Sequence, residues 1–216
     1  MSAKLTSPRA ALRVVPSKSD EGFAEHVSDG EIVEAIERGD DQRADLIVDR
    51  LSRIIDATIC RMVGRREPEH DDLMQDAFEQ IVKTISRHRF AGECSLTSWA
   101  VAITSNLCLN ALRSRRMERR FMDRTAGLRH DEDSAPASED VERQVGSRRD
   151  LERLIGYLAD MDESKAMAVL LYDGMGHDLG EVATLTRCSV PAAQSRLFRG
   201  RREIVERMMR EEDSDK

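Results

Sequence analysis

Two groups of side chains in this sequence have the types and spacing that chemistry needs. The first is acidic: His70, Asp71, Asp72, Asp76 and Glu79 lie within ten residues, and a helical repeat puts Asp72, Asp76 and Glu79 on one face. Carboxylates in that pattern serve as metal ligands, as acid/base groups or as a docking face. Metal and acid/base sites in helical bundles draw Glu-x-x-His pairs from facing helices, and no such partner motif occurs elsewhere in the chain. A solvated or partner-docking face is therefore the expectation, with no catalytic residues, metal or cofactor. Cys60, Cys94, Cys108 and Cys188 are scattered without a CxxC pair, which signals neither a zinc site nor a disulfide framework but four reduced thiols.

The second group is basic. Arg113, Arg115, Arg116, Arg119 and Arg120 end an otherwise apolar helical stretch, in a chain whose formal net charge is -7. Gln194, Ser195, Arg196 and Arg199 lie together further on. Guanidinium groups along one helix contact phosphates or base edges, and neutral amides and hydroxyls add donors and acceptors. The positive charge is local, so overall acidity does not exclude nucleic acid. No nucleotide-hydrolysis motif is present.

The elements that must position these groups are helices. Aromatic residues are 4% and charged residues 35% of the 216 positions, and few stretches alternate as half-buried strands do. Residues 1–28 carry Pro8 and Pro16 without helical periodicity and read as a flexible tail. A helix follows from an N-cap at Asp29 to a stop at Gly39. The next, from about Gln42 to Val63 and ended by Gly64, has its stripe at Leu46, Ile47, Leu51, Ile54, Ile55, Ile59 and Met62. From Pro68 a third places Leu73, Met74, Ala77, Phe78, Ile81, Val82 and Ile85 inward, with Asp72, Gln75, Asp76, Glu79 and Gln80 on the other face. After the loop around Gly92, Ser95 or Thr97 caps a fourth helix whose inner face is Leu96, Trp99, Ala100, Ile103 and Leu107. As the single Trp on that face, Trp99 is read as core.

Periodicity lapses over 122–146, where DEDSAPASEDVE supplies acid without base, and this segment is expected to be a flexible acidic linker. Helices resume near Ser147. HDLGEVATLTRCSVPAAQSRLFRGRREI, 177–204, has the layout of a helix-turn-helix: a short helix near 178–185, a turn at 186–189 and a longer helix from 190. Ser189 is its expected N-cap, and Pro191 fits the first turn. Val190, Ala193, Leu197, Gly200, Ile204 and Met208 form the expected buried stripe, and Arg187 occupies a turn position that favours glycine. The reading is an all-α chain of two small helical domains, 29–121 and 147–212.

DDLMQDAFEQIVKTI (71–85) followed by SLTSWAVAITSNLCLNALRSRR (95–116) resembles region two of bacterial extracytoplasmic-function sigma factors, and 177–204 resembles their region four. The resemblance spans about 29–120 and 147–210, in the family's order. It implies that Asp72, Gln75, Asp76 and Glu79 dock on core RNA polymerase. It also implies that the 89–97 loop, with Phe90, Cys94 and Ser95, holds a base flipped from the minus-ten element. Asn106, Asn110, Arg113, Arg115 and Arg116 would meet the melting promoter strand, and Gln194, Ser195, Arg196 and Arg199 would enter the major groove at the minus-thirty-five element. The implied partners are core polymerase, promoter DNA and an anti-sigma factor. The recognition helix opens Pro191-Ala192-Ala193-Gln194 where the family pattern has Gly-Thr-Val-Lys, which removes a hydroxyl and a positive charge and lowers the expected salt dependence.

The rival reading is a stand-alone helix-turn-helix regulator, which accounts for 177–204 and leaves 71–116 without a role. No apolar run of about 18 residues is long enough to span a membrane, and the N-terminus lacks a secretory signal; a cytoplasmic protein without membrane insertion is expected.

Overall fold

The computed structural model describes residues 27–63, 69–126 and 139–214. It is all-α: among the described residues there are eight α-helices and no strand. The N-terminal tail before residue 27, Gly64, Pro68 and residues 127–138 of the expected linker lie outside the described residues.

Four helices make the first group: α1 (Asp29–Glu37), α2 (Asp41–Met62), α3 (His70–Ser86) and α4 (Leu96–Ala126). The apolar stripes expected of α2 and α3 meet in one core, with Leu51, Ile55, Ile59, Ala77, Ile81 and Ile85 fully buried. Burying six such side chains, most of them leucine or isoleucine, removes enough apolar area to hold the group, at about 1.5–3 kcal/mol for each large aliphatic. Trp99 belongs to that core and packs against Phe90, with ring centroids 4.9 Å apart and a 52° tilt.

The start of α1 differs from the expected cap. Ser28, not Asp29, is the N-cap, and it forms a capping box with Glu31. Asp29 is thereby released to act at a distance: its Oδ2 accepts from the Leu96 backbone N–H at 2.9 Å, so α1 helps to cap α4. Ser95 completes that cap by accepting from the Ser98 N–H at 3.0 Å.

The second group is α5 (Glu139–Ala159), α6 (Glu163–Val169), a π-helical turn (Leu170–Gly174), α7 (Leu179–Leu185) and α8 (Val190–Ser214). The segment expected to be irregular, 122–146, is helical at both ends, because α4 runs to Ala126 and α5 begins at Glu139. Neither extension carries an apolar stripe in its sequence, which is why periodicity did not reveal it. α6 and α8 form the tightest pair of this group. Ala193, Leu197, Gly200 and Ile204 are buried there as the stripe required, but Val190 and Met208 are exposed. Val190 is the first residue of α8, before the contact begins. Beyond Ile204 the inward face turns polar, since Arg207 donates to the Tyr157 carbonyl at 3.0 Å and Glu211 accepts from the Tyr157 hydroxyl at 2.5 Å.

Candidate nucleic-acid and partner interface

The acidic strip is exposed as a unit. Asp72, Gln75, Asp76 and Glu79 all face outward from α3 while Leu73, Ala77 and Ile81 hold its other side in the core. Glu79 is paired with Lys83 one turn on. Beside the strip runs a groove of about 240 Å³, with Glu69, Asp72 and Asp76 on one wall and Ser114, Arg115 and Glu118 of α4 on the other. Arg115 is ion-paired to Glu69, so this arginine, read from sequence as a DNA contact, is part of the α3–α4 groove. Sequence spacing could not show that, because the pairing joins residues far apart in the chain.

Arg113 and Arg116 of α4 point at the second helical group. Arg113 Nε donates to the Ala159 carbonyl at 3.0 Å and its Nη2 to the Met161 carbonyl at 3.3 Å, while Nη1 is held by the Asn110 side chain at 2.7 Å. Arg116 donates to the Gly156 carbonyl and lies 3.2 Å from Asp160. From α8, Arg207 adds bonds to the carbonyls of Tyr157 and Asp160. The last turn of α5 has no basic residue of its own, and the unpaired carbonyls at a helix C-terminus carry partial negative charge. Three arginines from two other helices supply what α5 lacks.

The 89–97 loop also faces the second group. Arg187, between α7 and α8, donates to the Arg89 carbonyl at 3.4 Å. Cys94 is half-buried; its thiol is pushed up by burial first, then by the charges of Glu93 and Glu181. Phe90 is half-buried against Trp99, and Ser95 is committed to the α4 cap. Between the two groups lies a cleft of about 630 Å³, bordered by Trp99, Asn106, Asp162, Arg187 and Arg196 among others. The side-chain carbonyl of Asn106 is buried with no hydrogen-bond partner among the described residues. Of the four α8 residues expected to meet DNA, Gln194 and Arg199 are exposed, whereas Ser195 and Arg196 are half-buried. The structure therefore brings Asn106 and Arg196 to one cleft, and leaves Gln194 and Arg199 on an outer face.

The helix-turn-helix keeps its turn geometry without glycine. Arg187 adopts φ 50°, with the Cys188 N–H bonded to the Ala183 carbonyl at 2.9 Å and its own N–H to the Thr184 carbonyl at 3.2 Å. That is the Schellman ending in which a left-handed residue closes the helix.

Residues 47–118 match the Sigma-70 region 2 family model. Relatives extend the likeness over most of the chain. The ECF RNA polymerase sigma-E factor of Haemophilus influenzae is 25% identical over 187 residues, covering 85% of this chain and 96% of that protein. The RNA polymerase sigma-H factor of Pseudomonas aeruginosa is 27% identical over 179 residues, covering 82% and 91%. A solved structure of CnrH in complex with the cytosolic domain of CnrY aligns with 87% of this chain and 99% of its own at 19% identity and a TM-score of 0.49. The class that the region 2 match and the helical architecture define is that of bacterial transcription initiation factors. Residues 47–118 carry a Sigma-70 region 2 domain, and over most of its length the chain is similar to extracytoplasmic-function sigma factors.

Proposed function

We propose that this chain binds core RNA polymerase, recognises the minus-ten and minus-thirty-five elements of a promoter and promotes DNA melting. The observation that carries the reading is the exposed strip Asp72, Gln75, Asp76 and Glu79, on a helix whose opposite face is wholly committed to the core. That strip has no packing role within the described residues, which fits a docking surface for a basic face of polymerase. Residues 29–121 would form the polymerase-docking and strand-capturing domain and 147–212 the duplex-reading domain.

In that scheme Phe90, Cys94 and Ser95 shape the pocket for the flipped base, and Asn106, Asn110, Arg113, Arg115 and Arg116 follow the melted strand. Gln194, Ser195, Arg196 and Arg199 read the upstream duplex. Captured single-stranded bases offset the cost of unpairing, so no hydrolysis is needed. Delivery by polymerase raises the effective DNA concentration, which lets an acidic chain work with modest DNA contacts of its own. An anti-sigma factor would act by covering either face. No helix among the described residues is long and apolar enough to cross a membrane, which fits action in the cytoplasm beside the polymerase.

The test is co-migration with bacterial core polymerase on gel filtration, run beside the Gln75→Ala/Asp76→Ala double variant. Both side chains are exposed, so the variant is expected to fold normally and to bind polymerase about tenfold or more weakly, some 1.4 kcal/mol. Failure of the parent chain to co-migrate, together with tight binding to duplex DNA by itself, would replace this reading with a stand-alone helix-turn-helix regulator.

A further inference from the structure

We propose that Asp56, Cys60 and His70 form a binding site for a zinc-class divalent cation. This goes beyond the transcription reading and does not rest on it. The three side chains each offer one ligand atom, all within 4.8 Å of one another. Asp56 and Cys60 are four residues apart on α2 and so share a face, and His70 is the first residue of α3. Two helices thus converge on one point from which the site is built.

The spacing matches a tetrahedral centre. With zinc bonds of about 2.3 Å to sulfur and about 2.0–2.1 Å to nitrogen and oxygen, tetrahedral edges come to about 3.5 Å for pairs that include sulfur and about 3.3 Å for nitrogen to oxygen. The observed edges are 3.5 Å from Cys60 Sγ to His70 Nε2, 3.6 Å from Cys60 Sγ to Asp56 Oδ1, and 3.0 Å from His70 Nε2 to Asp56 Oδ1. The two sulfur edges already fit. The third is drawn in by the contact between ring nitrogen and carboxylate, and opens by a few tenths of an ångström when a cation takes both lone pairs.

The donor set selects the ion. Thiolate, imidazole and carboxylate together suit zinc and its soft-to-borderline neighbours, whereas magnesium and calcium take oxygen ligands. Behind the ring, His70 Nδ1 lies 3.3 Å from Oδ1 of the exposed Asp71, a carboxylate placed to accept the Nδ1 proton when Nε2 turns to a metal. The His70 side chain is 15% exposed, which leaves room for water as the fourth ligand. Bound there, the cation would fasten the last turns of α2 to the first residue of α3, immediately before the strip that begins at Asp72.

The experiment uses the full, tag-free chain, reduced and stripped with chelator. Zinc is titrated against a competing chromophoric chelator, and cobalt(II) is added in a parallel sample. One equivalent of zinc should bind, and cobalt should give the visible bands of a tetrahedral ion with a thiolate-to-cobalt band in the near ultraviolet. Cys60→Ser should abolish the thiolate band, His70→Ala should weaken zinc at least about 100-fold, and Asp71→Asn should weaken it about 10-fold or more through the histidine. A parent chain with no thiolate-to-cobalt band overturns the proposal whatever the variants do. So does zinc binding that all three substitutions leave unchanged, since the ion would then be adventitious. Circular dichroism of each apo variant separates loss of ligand from loss of fold, and the parent spectrum stands independently of both.

Discussion

Among the described residues, three α-helices end on a left-handed residue in the same way, and only one of those residues is glycine. Gly39 after α1, His88 after α3 and Arg187 after α7 have φ of 73°, 51° and 50°, and each closes the same pair of bonds back to the third- and second-last carbonyls of its helix. Gly39 adopts this without cost, whereas a residue with a Cβ gives up about 1 kcal/mol. His88 has a partial offset in its contact with Glu37 at 2.9 Å. Arg187 has only a long 3.4 Å bond to Arg89. Arg187→Gly is therefore expected to stabilise the chain by about 0.5–1 kcal/mol, read as a higher urea midpoint; an unchanged or lower midpoint would mean that the Arg89 contact matters more than the turn. From the sequence, position 187 was recognisable as the turn because of what flanks it, while the compensating bond was invisible because Arg89 is distant in the chain.

Elements were legible wherever one face is apolar. The stripes of α2, α3 and the first half of α4 lie in the core as their spacing required, because burial of aliphatic side chains dominates the local energetics. The later part of α8 was not legible: its inward face past Ile204 is Arg207 and Glu211, polar groups that meet polar partners on α5. Gly200 shows how tightly α8 packs before that point. A Cβ there would lie 2.6 Å from Val169 Cγ2 and 3.3 Å from the Lys165 carbonyl, so the two helices approach as closely as a bare backbone permits. Gly200→Ala should destabilise the second helical group by about 1–3 kcal/mol despite alanine's better helix propensity. Denaturation that shows no loss would mean that α6 shifts freely, contrary to this packing.

At the scale of the molecule, the two helical groups meet through arginines. Nothing in the linear pattern announces this, since Arg113 and Arg116 find their acceptors only once α4 and α5 converge. A separate convergence, of α2 with the start of α3, assembles Asp56, Cys60 and His70, which sequence spacing passed over because no linear motif contains them. Replacing Arg113 and Arg116 together by alanine should loosen the join, with a larger radius of gyration by X-ray scattering and faster amide exchange near the end of α5; the expected cost is about 1–3 kcal/mol. Gly156→Ala is the companion variant, because its Cβ would sit 2.9 Å from Arg116 Nη1 and displace the guanidinium without removing its charge. Unchanged scattering and exchange in both would show that the join does not depend on these residues.

The acceptors at that join are mostly backbone carbonyls, and this has a bearing on reversibility. A guanidinium held by neutral dipoles can be surrendered to a phosphate without stranding a bare negative ion behind it, so the exchange faces a low electrostatic threshold. Asp160, 3.2 Å from Arg116, is the exception. Its carboxylate is a competitor of the same kind as a phosphate, and it sets how strong an anion must be to win the arginine away.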